Sequence, residues 1–327
     1  MSTTDQSISR GHIPSESIDP PPLYAWPPKP IKALQWLFYK MWIPHSLVYF
    51  LMAVVTWNYF TPSMETMRVL SIDWIALVLI RNWILLFLIA GSLHWWLYMR
   101  KGQAKHYKYE LKDQVKNDVR FLWRDQVKDN MFWSLVSGVP IWTTYEVITY
   151  WIYASGKLPV MTVADNPLYF VFSLYLVIFW STAHFYFNHR FLHWKPMYKL
   201  AHELHHRNVN IAPWAGISMH PVEHVIYFSI FILYWFIPVH PVVIVFAAFF
   251  QGLSPSVSHS GFEKLNVFGR FKLSMGDYFH QLHHKYFHVN YGNIPTPFDY
   301  LYGSWHDGTK AGREIVKQRM RRFGKQG

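Results

Sequence analysis

Residues 189–206 read HRFLHWKPMYKLAHELHH and contain two closely spaced sets of histidines. The first set is an HxxxH pattern, and the second is an HxxHH pattern. Residues i, i+3 and i+4 of a helix share one face, so each set is predicted to direct its imidazoles toward one point. A second HxxHH pattern follows near residue 280. The three sets comprise His189, His193, His202, His205, His206, His280, His283 and His284.

Such a concentration of histidines predicts a metal site. Of the 19 histidines in the chain, 14 lie between His184 and His288. Neutral imidazoles packed together would leave acceptor nitrogens without partners, and protonated ones would repel each other. A bound cation removes both problems. One zinc ion takes about four ligands, so this many histidines predicts two ions. Imidazole binds iron, copper, nickel and zinc alike, so ligand type alone does not identify the metal.

Two functions remain open for such a metal site, namely proteolysis and the transport or storage of metal. Residues 202–206 also satisfy HExxH, the zinc metalloprotease pattern, in which Glu203 would act as general base. The corresponding position of the later cluster is Gln281, and this hypothesis leaves the other histidines unexplained. The histidines could instead belong to a metal transport or storage protein, which would need polar groups deep in the membrane.

The composition indicates a membrane protein. Of the 327 residues, 51% are hydrophobic and 19% aromatic, and the apolar residues form long runs. A run of about 20 residues crosses a hydrocarbon layer of ~30 Å. We therefore predict an all-α fold, a polytopic membrane helical bundle with a histidine-rich di-metal cap on its cytoplasmic side. The predicted spans are residues 35–58, 72–98, 132–153 and 167–187, followed by a hairpin over 220–258 that turns at Pro238–Pro241.

Charge and cysteine content restrict the possibilities further. The chain has no cysteine, which excludes disulfides, iron–sulfur clusters and thiolate–zinc sites. The net charge of +12 is attributed to basic loops facing an anionic leaflet rather than to nucleic-acid binding. Loop 99–130 carries nine Lys or Arg and is placed in the cytoplasm.

The predicted regions are a disordered N-terminal tail (1–28), N-terminal membrane helices with the basic loop (29–160), a catalytic region (161–307) and a basic C-terminal tail (308–327).

The histidine motifs resemble those of a known family. Besides the three sets, the chain contains HPVE at 220–223, HSGFE at 259–263 and NYG at 290–292. In order and spacing, residues 165–307 resemble the fatty acid hydroxylase superfamily, and most closely its sterol desaturase and methylsterol monooxygenase branch. The first 160 residues share only their general membrane character with it.

This resemblance implies a membrane-bound non-haem di-iron enzyme that uses O2 to hydroxylate or desaturate a lipid, either sterol-like or fatty acyl. Electrons would come from a separate cytochrome b5- or ferredoxin-type protein, and zinc could replace iron in purified protein. The membrane would be the bacterial inner membrane or the endoplasmic reticulum. The implied ligands are His189, His193, His202, His205, His206, His220, His259, His280, His283 and His284. Residues that could support the ligands from behind are His184, His224, His288, Asp277 and Asn290.

Overall fold

The computed structural model describes residues 11–267 and 269–323, without the side chains from 319 onward. The described chain is mostly helical, as predicted. Its two strands, β1 (Lys264–Val267) and β2 (Phe271–Ser274), form a small antiparallel hairpin that the sequence did not predict. The C-terminal tail predicted at 308–327 contains a helix as far as Phe323, and its last residues lie outside the described part.

The first half of the chain supplies long helices of the bundle. Three of its helices continue directly into a π-helical turn, which ends at Lys40, Met99 and Gly138. A short helix, Met64–Met67, lies between the helices His45–Phe60 and Ile72–His94. The main helices are α1 (Pro30–Gln35), α2 (His45–Phe60), α3 (Ile72–His94), α4 (Gln126–Phe132) and α5 (Val139–Ala154).

The second half carries the histidine motifs. Proline occupies the first turn of several of its helices, where its missing N–H is not needed. A 3-10 segment, Ser229–Trp235, extends the helix Pro221–Phe228 toward the turn of the hairpin. The helices are α6 (Pro167–Leu192), α7 (Glu203–His206), α8 (Pro221–Phe228), α9 (Pro241–Gly252), α10 (Ser254–Ser258), α11 (Tyr278–Tyr286), α12 (Phe298–Leu301) and α13 (Lys310–Phe323).

Three described helices are long and apolar enough to cross a membrane, namely Ile72–Met99, Pro167–Leu192 and Pro241–Ser258. A fourth span arises if the pair Pro30–Lys40 and His45–Phe60, bent by 48°, acts as one. The predicted span at 132–153 is helical, but its regular part, α5, has only 16 residues and packs inside the bundle. The structure therefore has the character of a multi-pass membrane protein.

The predicted hairpin over 220–258 is present. Tyr227 and Gln251, on its two arms, bond each other twice: the Tyr227 hydroxyl donates to the Gln251 carbonyl, and the Gln251 amide donates to the Tyr227 carbonyl. The turn between the arms is fixed by Tyr153, whose hydroxyl donates to the carbonyl of Ile237. Because the arms run back to back, the histidines before and after the hairpin lie at the same end of the bundle.

A buried ion pair joins α3 to α5. Arg81 donates to Glu146, and the Tyr150 hydroxyl donates to the same carboxylate. Asn82 adds a bond of 2.9 Å to the other carboxylate oxygen. Each charge is therefore compensated within the apolar bundle, which is the arrangement that tolerates ionised groups there.

The N-terminal tail predicted to be disordered requires correction. Residues 1–10 lie outside the described part of the chain, but from residue 11 onward the segment packs along the histidine-rich region. His12 pairs with Glu263, the indole of Trp305 donates to the carbonyl of Ile18, and the Tyr24 hydroxyl donates to the carbonyl of Pro295. Its proline-rich composition indicated no core of its own, but it did not reveal that a neighbouring surface satisfies its polar groups.

Candidate metal centre and apolar cavity

Nine of the ten histidines implied as ligands converge into two adjacent groups. Each member offers one nitrogen, and within a group these nitrogens lie within 4.8 Å of one another. The five-histidine group consists of His189, His193, His202, His206 and His283. The four-histidine group consists of His205, His259, His280 and His284.

Each HxxHH set is divided between the two groups, contrary to the expectation that it aims at a single point. Residues i and i+4 of a set enter one group, whereas i+3 enters the other. Thus His202 and His206 join the five-histidine group, while His205 joins the four-histidine group. Residues at i+3 and i+4 differ by about 100° around a helix of 3.6 residues per turn, so one short helix can serve two neighbouring centres.

Hydrogen bonds behind the rings fix their orientation in several cases. The Nδ1 of His189 lies 2.6 Å from the Tyr291 carbonyl oxygen, and that of His283 lies 2.6 Å from the Val289 carbonyl oxygen. The Nδ1 of His259 lies 3.0 Å from the Pro255 carbonyl oxygen. A carbonyl can only accept, so each Nδ1 carries the proton and each Nε2 presents a lone pair to its group.

The residues fit a bound metal at both groups. The Nε2 of His193 lies 3.1 to 3.2 Å from the Nε2 atoms of His202, His206 and His283, so several acceptor nitrogens face one another. Burial together with neighbouring imidazoles lowers the pKa of His206 well below its usual value. Burial lowers the pKa of His205 to about 4. The rings are therefore neutral near pH 7, which is the form that binds metals.

His220, implied as a ligand by the resemblance, lies in neither group. Its Nδ1 accepts the backbone N–H of Val222 at 3.3 Å and so caps the start of α8, and its ring packs near Trp133. The HPVE segment begins a helix at its proline, so the preceding histidine takes the capping position.

Three histidines expected behind the ligands do not contact them by hydrogen bonds. His184 bonds the Ser229 hydroxyl, and His224 bonds the Ser137 hydroxyl and the carbonyl of Ile217. His288 is exposed. The first two tie helices together near the centre.

The two polar residues expected behind the ligands both support α11, the helix that carries three of the grouped histidines. Asp277 caps its start by accepting the N–H groups of Phe279 and His280. Asn290 donates to the carbonyl of Phe279 and accepts the N–H of His306. Both residues therefore position a helix that carries grouped histidines, without joining either group themselves.

Glu223 is a functional candidate that the sequence argument missed. Its carboxylate is buried and lies 2.8 Å from the Nδ1 of His202. A carboxylate behind a ligating histidine fixes the ring and makes it a stronger ligand. Its position at the start of an apolar hairpin could have indicated this role, because a carboxylate is costly to bury without a partner.

We expect Glu223→Gln to lower metal affinity at the five-histidine group by about 10- to 100-fold, the usual range for such supporting residues. Glu203→Gln is the matched control, because Glu203 is exposed and bonds neither group. Metal retained by each variant is measured by titration with a chelator of known affinity. A protease of the HExxH type would give the reverse result, with Glu203→Gln inactive and Glu223→Gln active.

An apolar cavity of about 200 Å³ opens onto the four-histidine group. It reaches His205, His259 and His280, and its walls come from α2, α6 and the hairpin. The apolar side chains that line it include Tyr49, Phe185, Met219, Phe250, Val257 and Met275. Such a wall favours a hydrocarbon segment over water.

A second, more polar depression reaches the five-histidine group from outside. Phe287 and His206 form part of its lining, with their ring centres 4.6 Å apart. Charged residues at its rim are Arg120, Lys199, Glu203 and Arg207. The two groups therefore face different surroundings, one apolar and one polar.

Fold and site together define a helical protein of membrane character whose paired histidine centre lies beside an apolar cavity. The fatty acid hydroxylase family model matches residues 174–304. This match agrees with the resemblance to the fatty acid hydroxylase superfamily, and to its sterol desaturase branch, that the histidine motifs indicated.

Curated relatives agree with this resemblance. The chain is 27% identical over 229 residues to a Delta(7)-sterol 5(6)-desaturase of Candida glabrata, covering 68% of this chain and 57% of the relative. It is 26% identical over 227 residues to the enzyme of that name in Saccharomyces cerevisiae, covering 68% and 57%. It is 31% identical over 140 residues to the Candida albicans enzyme, covering 40% and 35%. The chain thus spans about a third to three fifths of the length of these relatives, and no solved structure matches it.

Proposed function

We propose that this protein is a membrane-bound, O2-dependent oxidoreductase that hydroxylates or desaturates a lipid with two iron ions. The observation that carries the proposal is the apolar cavity that ends at His205, His259 and His280, three members of one buried histidine group. The names of the relatives favour a sterol-like substrate over a fatty acyl chain.

The five- and four-histidine groups would each hold one ion. When bound, the iron ions supply the O2 chemistry: hydroxylation consumes O2, two electrons and two protons and releases one water, whereas desaturation releases two. The chain itself would hold neutral nitrogen ligands, several of them oriented by hydrogen bonds, and the apolar wall of its cavity favours a hydrocarbon segment over water. Iron is inferred from the ligand type and from the family resemblance, and zinc would bind to the same nitrogens.

A separate one-electron carrier of cytochrome b5 or ferredoxin type would supply the electrons. The polar depression at His206 supports an approach from outside the apolar cavity, with Arg120, Lys199 and Arg207 at its rim. An acidic carrier would be attracted to such cations.

The alternatives have less support. Glu203 is exposed on the outer depression, whereas a protease base must reach a metal-bound water. A transporter needs available ionisable groups within its spans. Within the described bundle, Arg81 of α3 and Glu146 of α5 are already paired with each other.

The enzyme proposal is tested by deleting the gene and comparing lipid profiles, with 18O2 supplied to the complemented strain. We expect one lipid to accumulate on deletion and its oxidised product to return with the wild-type chain but not with His206→Ala. An unchanged lipid profile together with altered cellular metal content would contradict the enzyme proposal and favour transport.

We further propose that the metal centre faces the cytoplasm of a bacterial inner membrane or an endoplasmic reticulum. The native chain has no cysteine, so single cysteines report accessibility without background. Val209 and Tyr302 are exposed near the centre, and Phe236 is exposed at the hairpin turn. We expect Val209→Cys and Tyr302→Cys to be labelled from the cytoplasmic side only. Phe236→Cys should be labelled from the other side, or remain unlabelled if the hairpin re-enters. Labelling of positions 209 and 302 from opposite faces would contradict the shared site.

A further inference from the structure

A basic pocket lies at the end of α3, outside the metal centre. Its volume is about 420 Å³, and the loop that follows the helix forms one wall. Among the described residues that line it, Asp113 is the only acidic one. The lining residues that matter here are Leu97, Tyr98, Lys101, Lys105, His106 and Lys108.

Lys108 is the buried cation of this pocket. Only 5% of the residue is exposed, and its ammonium lies 5.2 Å from the ring centre of Tyr98. Its Nζ donates to the carbonyl of Lys112 at 3.2 Å. The nearest carboxylate, that of Asp113, lies 3.7 Å away on a side chain that is 82% exposed. The buried charge therefore has one solvated counter-ion.

Two further lysines act on this charge. Burial lowers the pKa of Lys108, Asp113 raises it, and Lys105 and Lys101 lower it again. The lysines are thus close enough to repel one another, and positive charge exceeds negative charge along the pocket wall. An anion placed among them would relieve that repulsion.

The loop conformation concentrates these cations. Lys101, Ala104 and Tyr107 all have positive φ, at 52°, 50° and 67°. Non-glycine residues rarely adopt this conformation, and it persists where surrounding structure holds it. Here the backbone N–H of Tyr109 donates to the carbonyl of Gly261 at 2.9 Å, which fixes the loop against the region that follows His259.

We propose that this pocket binds the phosphate group of an anionic lipid. The helix that ends beside it, Ile72–Met99, is a candidate membrane span, so its end lies at the depth of lipid headgroups. Exposed Trp95 and Met99 flank this end. Indole rings favour the membrane–water interface, and lysines near an anionic leaflet are attracted to it.

The bound phosphate would also fasten the loop to the metal centre. The Tyr98 hydroxyl in the pocket wall donates to the carbonyl of Ser260 at 2.8 Å. Ser260 follows His259 directly, so the headgroup pocket and a ligand-bearing turn share one hydrogen-bonded support. No step of lipid oxidation depends on this site.

The test measures binding to the full-length protein in detergent, independently of activity. The probes are short-chain phosphatidic acid, phosphatidylcholine of the same chain length, and inorganic phosphate. We expect phosphatidic acid to bind at least tenfold more tightly than phosphatidylcholine. Lys101→Gln with Lys105→Gln should weaken it about thirtyfold, since each lysine near a lipid surface contributes about 1 kcal/mol and a tenfold change is about 1.4 kcal/mol.

The matched control is Lys195→Gln with Lys310→Gln, two exposed lysines outside the pocket, which should bind as the wild type does. Unchanged metal content verifies that both double variants are folded. If inorganic phosphate binds as tightly as phosphatidic acid and displaces it, the pocket is a phosphate site whose ligand is free phosphate rather than a lipid headgroup. Equal binding of the two lipids, or an unaffected Lys101/Lys105 variant, would overturn the proposal.

Discussion

Replacing His205 with alanine is expected to empty the four-histidine group and abolish lipid oxidation, whereas His220→Ala keeps both metals. His205 is buried and belongs to that group, and its ring centre lies 4.7 Å from that of His284 and 5.5 Å from that of His259. His220 only caps α8, so its loss should cost about 1 kcal/mol of stability.

The measurements are metal per chain and product formed by the two purified variants under identical iron loading. We expect His205→Ala to retain about one ion and show no detectable product. His220→Ala should retain about two ions and most of its activity. Equal metal loss in both variants would mean that His220 is a ligand and that the observed grouping is incorrect.

Gly216→Ala is expected to lower metal binding by the four-histidine group, although Gly216 is not one of its members. A Cβ at this position would lie 2.4 Å from the carbonyl carbon of Pro255 and 2.5 Å from its oxygen. That oxygen accepts the Nδ1–H of His259, so displacing it turns a ligand away. Overpacking of this kind costs about 1–3 kcal/mol, and loss of an orienting bond lowers metal affinity about 10- to 100-fold.

Gly91→Ala is the matched control, because a Cβ there would meet its nearest neighbour, Phe87, at an ordinary 3.7 Å. Metal retention at a fixed chelator concentration and the midpoint of thermal unfolding are compared for both variants. We expect only Gly216→Ala to lose metal. Full retention by Gly216→Ala would show that Pro255 can shift without moving His259.

The sequence predicted which histidines approach the centre, but it did not predict how they divide between the two groups. Helical spacing correctly indicated that the histidine sets converge, and the resemblance supplied His259. The spacing did not show that His205 and His206 belong to different groups, because that depends on two centres flanking one helix. The motif at His220 resembles that of a ligand, but the structure places this residue outside both groups, where it caps the helix that starts at the following proline.

Contacts across long sequence distances were the least predictable part. Glu223 finds its partner, His202, only when the hairpin packs back on the bundle. The segment from residue 11 has no apolar pattern of its own, and Tyr24 reaches Pro295 through a single hydroxyl. Such pairings come from tertiary packing, which periodicity and composition do not encode.

We propose that the two groups of histidines in this chain hold two metal ions. The most direct measurement is the metal content of purified full-length protein, expressed with added iron and analysed by mass spectrometry against protein concentration. We expect two ions per chain, whether iron or zinc, because zinc competes well for nitrogen ligands. A single tightly bound zinc ion, with no second site after reloading, would contradict it.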